Sequence, residues 1–511
     1  MNKSHQQPVA DADAAVQNIT ILTLNAWALK HISHHILPRV TAIAHNITAL
    51  KPSIVCLQEL FTQDAYSLLR RLTAQTHPYG KYFHSGPLGA SGLVILSRWP
   101  IEEASLYPYA LNGRPTAFWR GDWYVGKGVA WARVRFGSGE RGVVDVFNTH
   151  THSPYEANRP FDTYLVHRLS QFWQLSKLLR SAARGGSGLV VAAGDFNMLP
   201  LSMFHRIVTA RSGSMRDAWR VLHPDSSLGP VWNPSERARG LDVPSAAYNL
   251  TVNGATSNTA GNTWRFDAAR QKRIKRGDPC PVDDEDPDPR GQRLDYIFVS
   301  TGQQPRQPHH DASFGDTTRE GWVVSNAEVA MTHRHPDLHV SLSDHFAVLV
   351  TLEYHRSVSP LPADADTAHH PSSSPEAQLA WSGEEDLPTH AYDDILEAIR
   401  AYAAREQAQR RWRAAHFFVG AAAWAACLVA VWFSPGNYVA FLLVLIGSLG
   451  LATGVVDGLL SLLFFASEIG AIREFEWEVR NAKALAAGDF DAMAKSDGIN
   501  GAPDVGMKKM S

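Results

Sequence analysis

Cysteine is scarce in this 511-residue chain. Cys56, Cys280 and Cys427 are the three present, and they lie far apart. That excludes a disulfide framework and any zinc-ligand spacing, and makes a reducing compartment the default. An excess of charge of one sign is also lacking: 48 Lys and Arg stand against 50 Asp and Glu, a formal net charge of -2. Such a balance leaves no basic footprint for a long polyanion, so no nucleic-acid partner is expected. Residues 1–17 are polar, with Asp11 and Asp13 among them, and contain no apolar stretch of the kind that forms a secretory signal. No internal repeat is visible, and no serine or cysteine sits in the elbow signature of a covalent hydrolase.

What is present first is length. A chain of 511 residues exceeds the roughly 250–300 that one core usually serves, so more than one region is expected. The C-terminal part departs most from a globular pattern. Phe417 to Phe433 is almost wholly apolar, and after the turn Ser434-Pro435-Gly436-Asn437 a second apolar run extends from Tyr438 to about Phe465. Both runs approach the ~20 residues that a spanning helix needs, and neither keeps an amphipathic stripe. Arg405, Arg410, Arg411 and Arg413 precede the first run, and Arg473, Arg480 and Lys483 follow the second. The positive-inside rule then places both flanks in the cytosol and predicts two crossings. Asp457, inside the second run, is a costly carboxylate with an open role.

The map that follows has a polar tail over 1–17, a catalytic-type domain over 18–356 and a flexible Ser-, Pro- and acid-bearing linker over 357–388. A charged juxtamembrane helix over 389–415, two transmembrane helices over 416–466 and a cytosolic segment over 467–511 complete it. The large domain alternates strands and helices. Strands are expected at Ile19–Asn25, Ile54–Leu57, Leu93–Leu96, Val129–Phe136, Val143–Thr149, Gly188–Ala193, Leu294–Val299 and Ala347–Tyr354. Helices are expected at Pro38–Leu50, after a cap at Asp64, and at Asn158–Leu179. This is an α/β pattern with helices outside layered sheets.

Polar groups stop these apolar runs at their ends. Asn25 ends the first strand and Glu59 follows the second. His150 and His152 follow the Val143 strand, and Asp195 and Asn197 follow the glycine-bounded run Gly188–Gly194. Asp295 lies in Arg293-Leu294-Asp295-Tyr296, and Asp344 and His345 immediately precede the last strand. Singly, each also reads as a turn, cap or satisfied core residue. As a set they hold what metal-assisted hydrolysis of a phosphodiester requires. Glu59, Asn25 and Asp344 are the candidate metal ligands, because hard oxygens suit Mg²⁺, or Mn²⁺ in its place. His345 is the candidate general base, Asp295 its orienting acid, and Asp195 the group that orders the attacking water. His150 and Asn197 are the candidate donors to the phosphoryl oxygens.

Thr23-Leu24-Asn25, Leu57-Gln58-Glu59, Asn148-Thr149-His150, Gly194-Asp195-Phe196-Asn197, Arg293-Leu294-Asp295-Tyr296 and Ser343-Asp344-His345 resemble the motifs of the exonuclease–endonuclease–phosphatase (DNase-I-like) superfamily, in its order and over roughly 18–355. The resemblance implies a four-layered αββα sandwich, with the C-terminal transmembrane hairpin added to it. Within the superfamily the chain is similar to the neutral sphingomyelinases and the inositol-phosphosphingolipid phospholipases C. That likeness implies phospholipase C-type hydrolysis of a sphingolipid to ceramide, with His150 or a metal-bound water protonating the leaving oxygen, and the arginines before the first apolar run point to an anionic phospholipid as activator. It implies an intracellular membrane such as the endoplasmic reticulum. Asp122 and Lys127, five residues apart, resemble a regulatory switch of a mammalian member. A membrane-anchored phosphoinositide phosphatase and a metal-dependent nuclease carry similar centres and are the alternatives. Two loops stay outside this scheme: the aromatic group Trp119, Trp123 and Tyr124, a packed cluster or an interfacial element, and the basic Arg270–Arg276 with the acidic Asp283–Asp288.

Overall fold

The computed structural model describes residues 16–155, 162–184, 188–213, 215–302, 319–357, 373–381 and 386–489. They form two units, one holding the chain up to residue 155 and from 171 to 385, the other holding 156–170 and everything from 386 onward.

In the first unit the strands are β1 (Asn18–Ala28), β2 (Ile54–Leu60), β3 (Tyr79–Tyr82), β4 (Val94–Ser97), β5 (Ile101–Pro108), β6 (Gly128–Arg135), β7 (Val143–His150), β8 (Leu189–Asp195), β9 (Arg216–Asp217), β10 (Asp295–Val299), β11 (Arg319–Ala330) and β12 (Ala347–Ser357). Among the described residues they build two six-stranded sheets, in the orders β11-β12-β1-β2-β4-β3 and β5-β6-β7-β8-β10-β9. Alternation along each strand decides which face goes where. Ile19, Ile21, Ile54 and Cys56 of the first sheet meet Ala130, Val144, Val146, Val191, Ala193 and Ile297 of the second in one buried core. The intervening Leu22, Leu24, Val55 and Leu57 face outward and are covered by Val40, Ile43, Ala44 and Ile47 of the helix Ile36–Leu50 and by Leu69 of the helix Gln63–Thr73. On the other side Phe172, of the helix Leu165–Arg184, stacks on Phe196 just beyond β8. Two sheets sandwiched between helices are the layered α/β arrangement expected.

The central strand of each sheet runs parallel to one neighbour, β1 to β2 and β7 to β8. The C-terminal ends of all four strands therefore point to one edge of the sandwich, and their terminal polar residues converge there. Several details differ from the sequence reading. β3, β5, β9 and β11 are short or half-exposed and carry too little apolar patterning to stand out. The helix expected after Asp64 is capped by Thr62, whose side chain accepts from Ala65 N, with Asp64 in the first turn. The long helix starts at Leu165, and residues 158–161 of the expected one lie outside the described residues. The acidic stretch Asp283–Asp288 bonds through its backbone to residues 244–247, as in Ala246 N to Asp286 O and Asp288 N to Pro244 O.

The segment read as a flexible linker contains a helix, Pro375–Ala380, capped by Ser374. Its Gln378 side chain bonds both ways to the Val324 backbone of β11, at 2.8 and 3.0 Å. Residues 358–372 and 382–385 of that segment, and the tails 1–15 and 490–511, lie outside the described residues.

In the second unit the charged helix and the first apolar run form one uninterrupted helix, Thr389–Val431. After the Ser434–Gly436 turn come the helix Asn437–Leu459, a π turn over Leu460–Phe464, and the helix Phe465–Ala486. Both are long and apolar enough to cross a membrane. They pack antiparallel, as the pairs Tyr402–Glu468, Arg410–Ser461, Arg413–Asp457 and Gly420–Gly450 show. A Cβ at Gly420 would lie 3.1 Å from Gly450 O, so glycine sets the close approach. Asp457, whose role the sequence left open, is held by Arg413 and, at 2.7 Å, by His416 Nδ1.

Candidate active site

Register places the site. In the second sheet His150, Asp195 and Asp295 are direct neighbours across β7, β8 and β10. In the first, Asn25 of β1 lies beside Gln58 of β2, one residue before Glu59. The two sheets are joined at this edge by the Asn25 amide, which donates to Glu59 Oε1 at 3.1 Å and to Asp195 Oδ2 at 3.0 Å. Its carbonyl accepts from Trp27 N at 3.0 Å. In this orientation Asn25 is a donor clamping two carboxylates, and it offers oxygen to a cation only after the carboxamide turns over.

Glu59 has φ 58° and Asn197 φ 45°. Asparagine tolerates the left-handed region, while glutamate there costs energy that surrounding contacts must offset. Burial first, and then the negative charge of Asp344, push the Glu59 carboxyl up to about 7. Burial and Asp295 likewise push Asp195 up to about 6, against the favourable charge of His345. Glu59 Oε2 is buried with no hydrogen-bond partner among the described residues. An orphaned carboxylate oxygen beside a second crowded carboxylate is a site that lacks positive charge. The donor set therefore fits a hard divalent cation, which Glu59 with Asp195 and Asp344 would hold.

His345 Nδ1 lies 2.8 Å from Asp295 Oδ2. Burial alone would lower the imidazole, but the charges of Asp295 and Asp195 and the hydrogen bond hold it well above its ordinary range. Asp195, Asp295 and His345 bring one donor atom each to within 4.8 Å of one another. Asp195 and His345 are thus near enough to contact one water between them. Asp344 lies beside them, 3.7 Å from Arg265 and within reach of Ser343 Oγ at 3.4 Å.

On the opposite side, His150 Nε2 is 3.5 Å from Asp195 Oδ2 and 3.7 Å from Glu59 Oε1. It also faces Lys127 Nζ at 3.2 Å. Burial, and then Lys127 itself, hold His150 well below its ordinary range. A neutral ring that accepts from an ammonium carries its proton on Nδ1, so Nε2 is an acceptor and not the donor the sequence suggested. Lys127 in turn pairs with Asp122 Oδ1 at 3.1 Å and donates to Thr151 O at 2.9 Å. Burial would raise the Asp122 carboxyl, but Lys127 and His152 hold it low. Asn197 gives its amide to Thr151 O at 3.2 Å and its backbone N–H to Asp195 Oδ1 at 3.0 Å. One further N–H of that carboxamide remains for a phosphoryl oxygen.

All ten residues singled out thus fall at this edge. Four supporting residues were not singled out. Gln58 donates to Asn148 Oδ1 at 2.8 Å across the sheet interface, and Asn148 donates to Leu57 O and Val94 O, which ties the floor of the site together. Thr256 Oγ1 donates to Asp295 Oδ2 at 2.6 Å. Arg39, fully buried, donates to four carbonyls, those of Ala26, Trp27, His34 and Leu342. It thereby pins the loop after Asn25 to the one that delivers Ser343-Asp344-His345. Its signal was readable: Arg39 shares the buried stripe with Ile43 and Ile47 at four-residue spacing.

The pattern of the Endonuclease/Exonuclease/phosphatase family matches residues 22–345. The chain is 34% identical over 468 residues to the inositol phosphosphingolipids phospholipase C of Schizosaccharomyces pombe, covering 91% of this chain and 95% of that one. To the protein of the same name in Saccharomyces cerevisiae it is 31% identical over 490 residues, 91% and 90% of the two. A putative neutral sphingomyelinase of Drosophila melanogaster matches at 35% over 336 residues, 66% of this chain and 60% of that one.

Proposed function

The chain belongs to the endonuclease/exonuclease/phosphatase family, in the group of the inositol phosphosphingolipid phospholipases C and neutral sphingomyelinases, and from that premise we propose that it hydrolyses a sphingophospholipid to ceramide and a phosphorylated head group. The observation that carries the reading is the pairing of a His345–Asp295 dyad with the Glu59–Asn25–Asp195 cluster at one sheet edge. Water ordered by Asp195 loses its proton to His345 Nε2, and Asp295 stabilises the imidazolium. The oxygen attacks phosphorus, and Asn197 donates to the charge that develops on the phosphoryl oxygens. The ceramide oxygen leaves on the His150 side and takes its proton from water, because the three Lys127 N–H groups already go to Asp122, Thr151 and His150. Glu59, Asp195 and Asp344 would hold a divalent cation, which would supply Lewis-acid stabilisation of the phosphoryl charge. Mg²⁺ suits this oxygen set, as does Mn²⁺.

Full-length matches to two inositol phosphosphingolipid phospholipases C favour phosphoinositol over phosphocholine as the head group. The two apolar helices support a two-pass anchor with both flanks on the cytosolic face of an intracellular membrane, where tethering raises the local substrate concentration. Arg410 and Arg411 are exposed, whereas Arg405 and Arg413 are already paired with Glu406 and Asp457. The first two are therefore the candidates for contact with an activating anionic lipid.

The test is product analysis on vesicles carrying inositol-phosphosphingolipid or sphingomyelin. Ceramide and the phosphorylated head group should appear with Mg²⁺ and be lost in EDTA and in His345→Ala. Free phosphate from a phosphoinositide, or nicked plasmid, without ceramide would replace this reading with a phosphatase or a nuclease.

A further inference from the structure

The aromatic group ahead of β6 divides in two. Trp123 and Tyr124 are half-buried, edge to face at 5.0 Å, and Tyr124 OH donates to Pro115 O at 2.8 Å. Phe118 and Trp119 are instead 71% and 67% exposed, edge to face with each other at 5.1 Å. Leu88, also exposed, sits on the adjoining loop, where its N–H donates to Tyr124 O at 3.0 Å. Two large rings held in solvent at a loop tip gain nothing from folding and are costly to leave bare.

The tip is not a loose loop. Arg120 N bonds back to Ala117 O at 2.9 Å, and the Arg120 guanidinium lies 4.6 Å over the Tyr155 ring. Gly113 packs so closely that a Cβ there would lie 3.1 Å from Asp122 Cβ, at a φ of 69° that already favours glycine. Three residues beyond Trp119, Asp122 begins the ion-pair chain through Lys127 to His150. The exposed rings therefore stand on the structural element that builds one wall of the active site.

From this we propose that Phe118 and Trp119 form a bilayer-docking tip, which enters the interfacial layer of a phospholipid membrane and seats the active-site mouth on the headgroups. The occupant is a lipid surface for two reasons. Large amphipathic rings prefer the headgroup level, where an apolar body and a polar edge are both satisfied. The stretch Tyr109–Gly121 carries no acidic residue, and Arg120, next to the two rings, is partly exposed while Arg114 is buried, so nothing in it repels a phosphate-rich surface. The two apolar helices are long and apolar enough to cross a membrane, and the tip adds a membrane contact made by the catalytic unit itself. The inference rests on the lipid-hydrolase reading above and adds to it where the enzyme touches the bilayer.

The experiment uses the full chain in phosphatidylcholine vesicles and compares wild type with Phe118→Ser/Trp119→Ser. Two substrates are followed: a long-chain sphingophospholipid embedded in the bilayer, and a short-chain analogue kept monomeric below its micelle concentration. Loss of the tip should lower bilayer hydrolysis at least roughly tenfold, the scale set by burying one large apolar side chain, and leave the monomeric substrate unchanged. Phosphatidylcholine brominated near its head end should also quench wild type more than Trp119→Phe, by the contribution of that one indole. Equal bilayer hydrolysis in the two proteins, with no Trp119-dependent quenching, overturns the docking tip. A wild type inactive on both substrates overturns the lipid-hydrolase reading instead. Equal losses on both substrates would show that the rings serve only to hold the Asp122–Lys127 element, and would also overturn the proposal.

Discussion

His345 Nδ1 and Asp295 Oδ2 meet at 2.8 Å although one residue enters β12 of the first sheet and the other begins β10 of the second. The contact closes the sandwich at its catalytic edge and sets which imidazole nitrogen is left for water. Asp295→Asn should therefore lower kcat by about 100- to 10,000-fold, the usual range for general acid–base work. The sign of the pH effect also follows. The Asp295 charge holds the His345 proton on, so removing that charge should move the acid limb of the kcat/KM profile to lower pH. A variant with full activity and an unmoved acid limb would contradict the dyad.

The carboxyls of Glu59 and Asp195 are raised, to about 7 and about 6. A carboxyl raised in the folded state favours folding while protonated. That contribution is complete below the unfolded value and lost as pH climbs through the folded one. Metal-free protein should thus lose stability between about pH 4 and pH 7 from these two groups. A cation needs the same groups deprotonated. Mg²⁺ should accordingly raise Tm more at pH 8 than at pH 5.5, approaching about 2.7 kcal/mol of stabilisation at a hundredfold excess over Kd. Differential scanning calorimetry with Mg²⁺ or EDTA reads this without turnover. An equal Mg²⁺ effect at both pH values would remove Glu59 and Asp195 from the ion.

Below the site, Gln58 and Asn148 bridge the two sheets inside an otherwise apolar interface. Asn148→Ala removes the Asn148 bonds to Leu57 O and Val94 O and one of the acceptors of the Gln58 amide, which keeps Thr23 and Cys56, and should cost about 1–3 kcal/mol of stability. Because the same interface positions Asn25 and Glu59, activity should fall with it. A shift in the urea midpoint of the catalytic unit, alongside kcat, measures both.

Arg39→Met should behave differently. The apolar stem is kept, but four carbonyls lose a charged donor and the loops bearing Asn25 and Asp344 come apart. Weaker Mg²⁺ binding together with lower Tm is the expected result. Unchanged Mg²⁺ affinity would show that Arg39 serves the fold alone.

Much of this edge was legible because a parallel strand pair reveals itself where its apolar run stops. Asn25, Glu59, His150 and Asp195 each follow a run of buried residues, and nothing but tertiary packing was needed to bring them together. The direction of their hydrogen bonds was not legible. Whether the Asn25 oxygen or nitrogen faces Glu59 depends on Trp27 N, and whether His150 donates or accepts depends on Lys127, twenty-three residues earlier. Gln58 and Asn148 were named only within their motifs and given no role, and Thr256 was not named, because one polar side chain inside a strand or loop does not disturb a hydrophobic period. The helix Pro375–Ala380 escaped because serine and proline dominate its surroundings in the sequence, while the contacts that dock it, through Gln378, Glu376 and Leu379, are with distant residues.

The central claim is that water, deprotonated at His345, attacks phosphorus and expels ceramide. Hydrolysis of the bilayer sphingophospholipid in ¹⁸O-water, followed by mass spectrometry of both products, tests it most directly. One ¹⁸O should appear in the phosphorylated head group and none in ceramide, and no label should be transferred by His345→Ala. Label in the ceramide hydroxyl, or in free phosphate, would contradict the account.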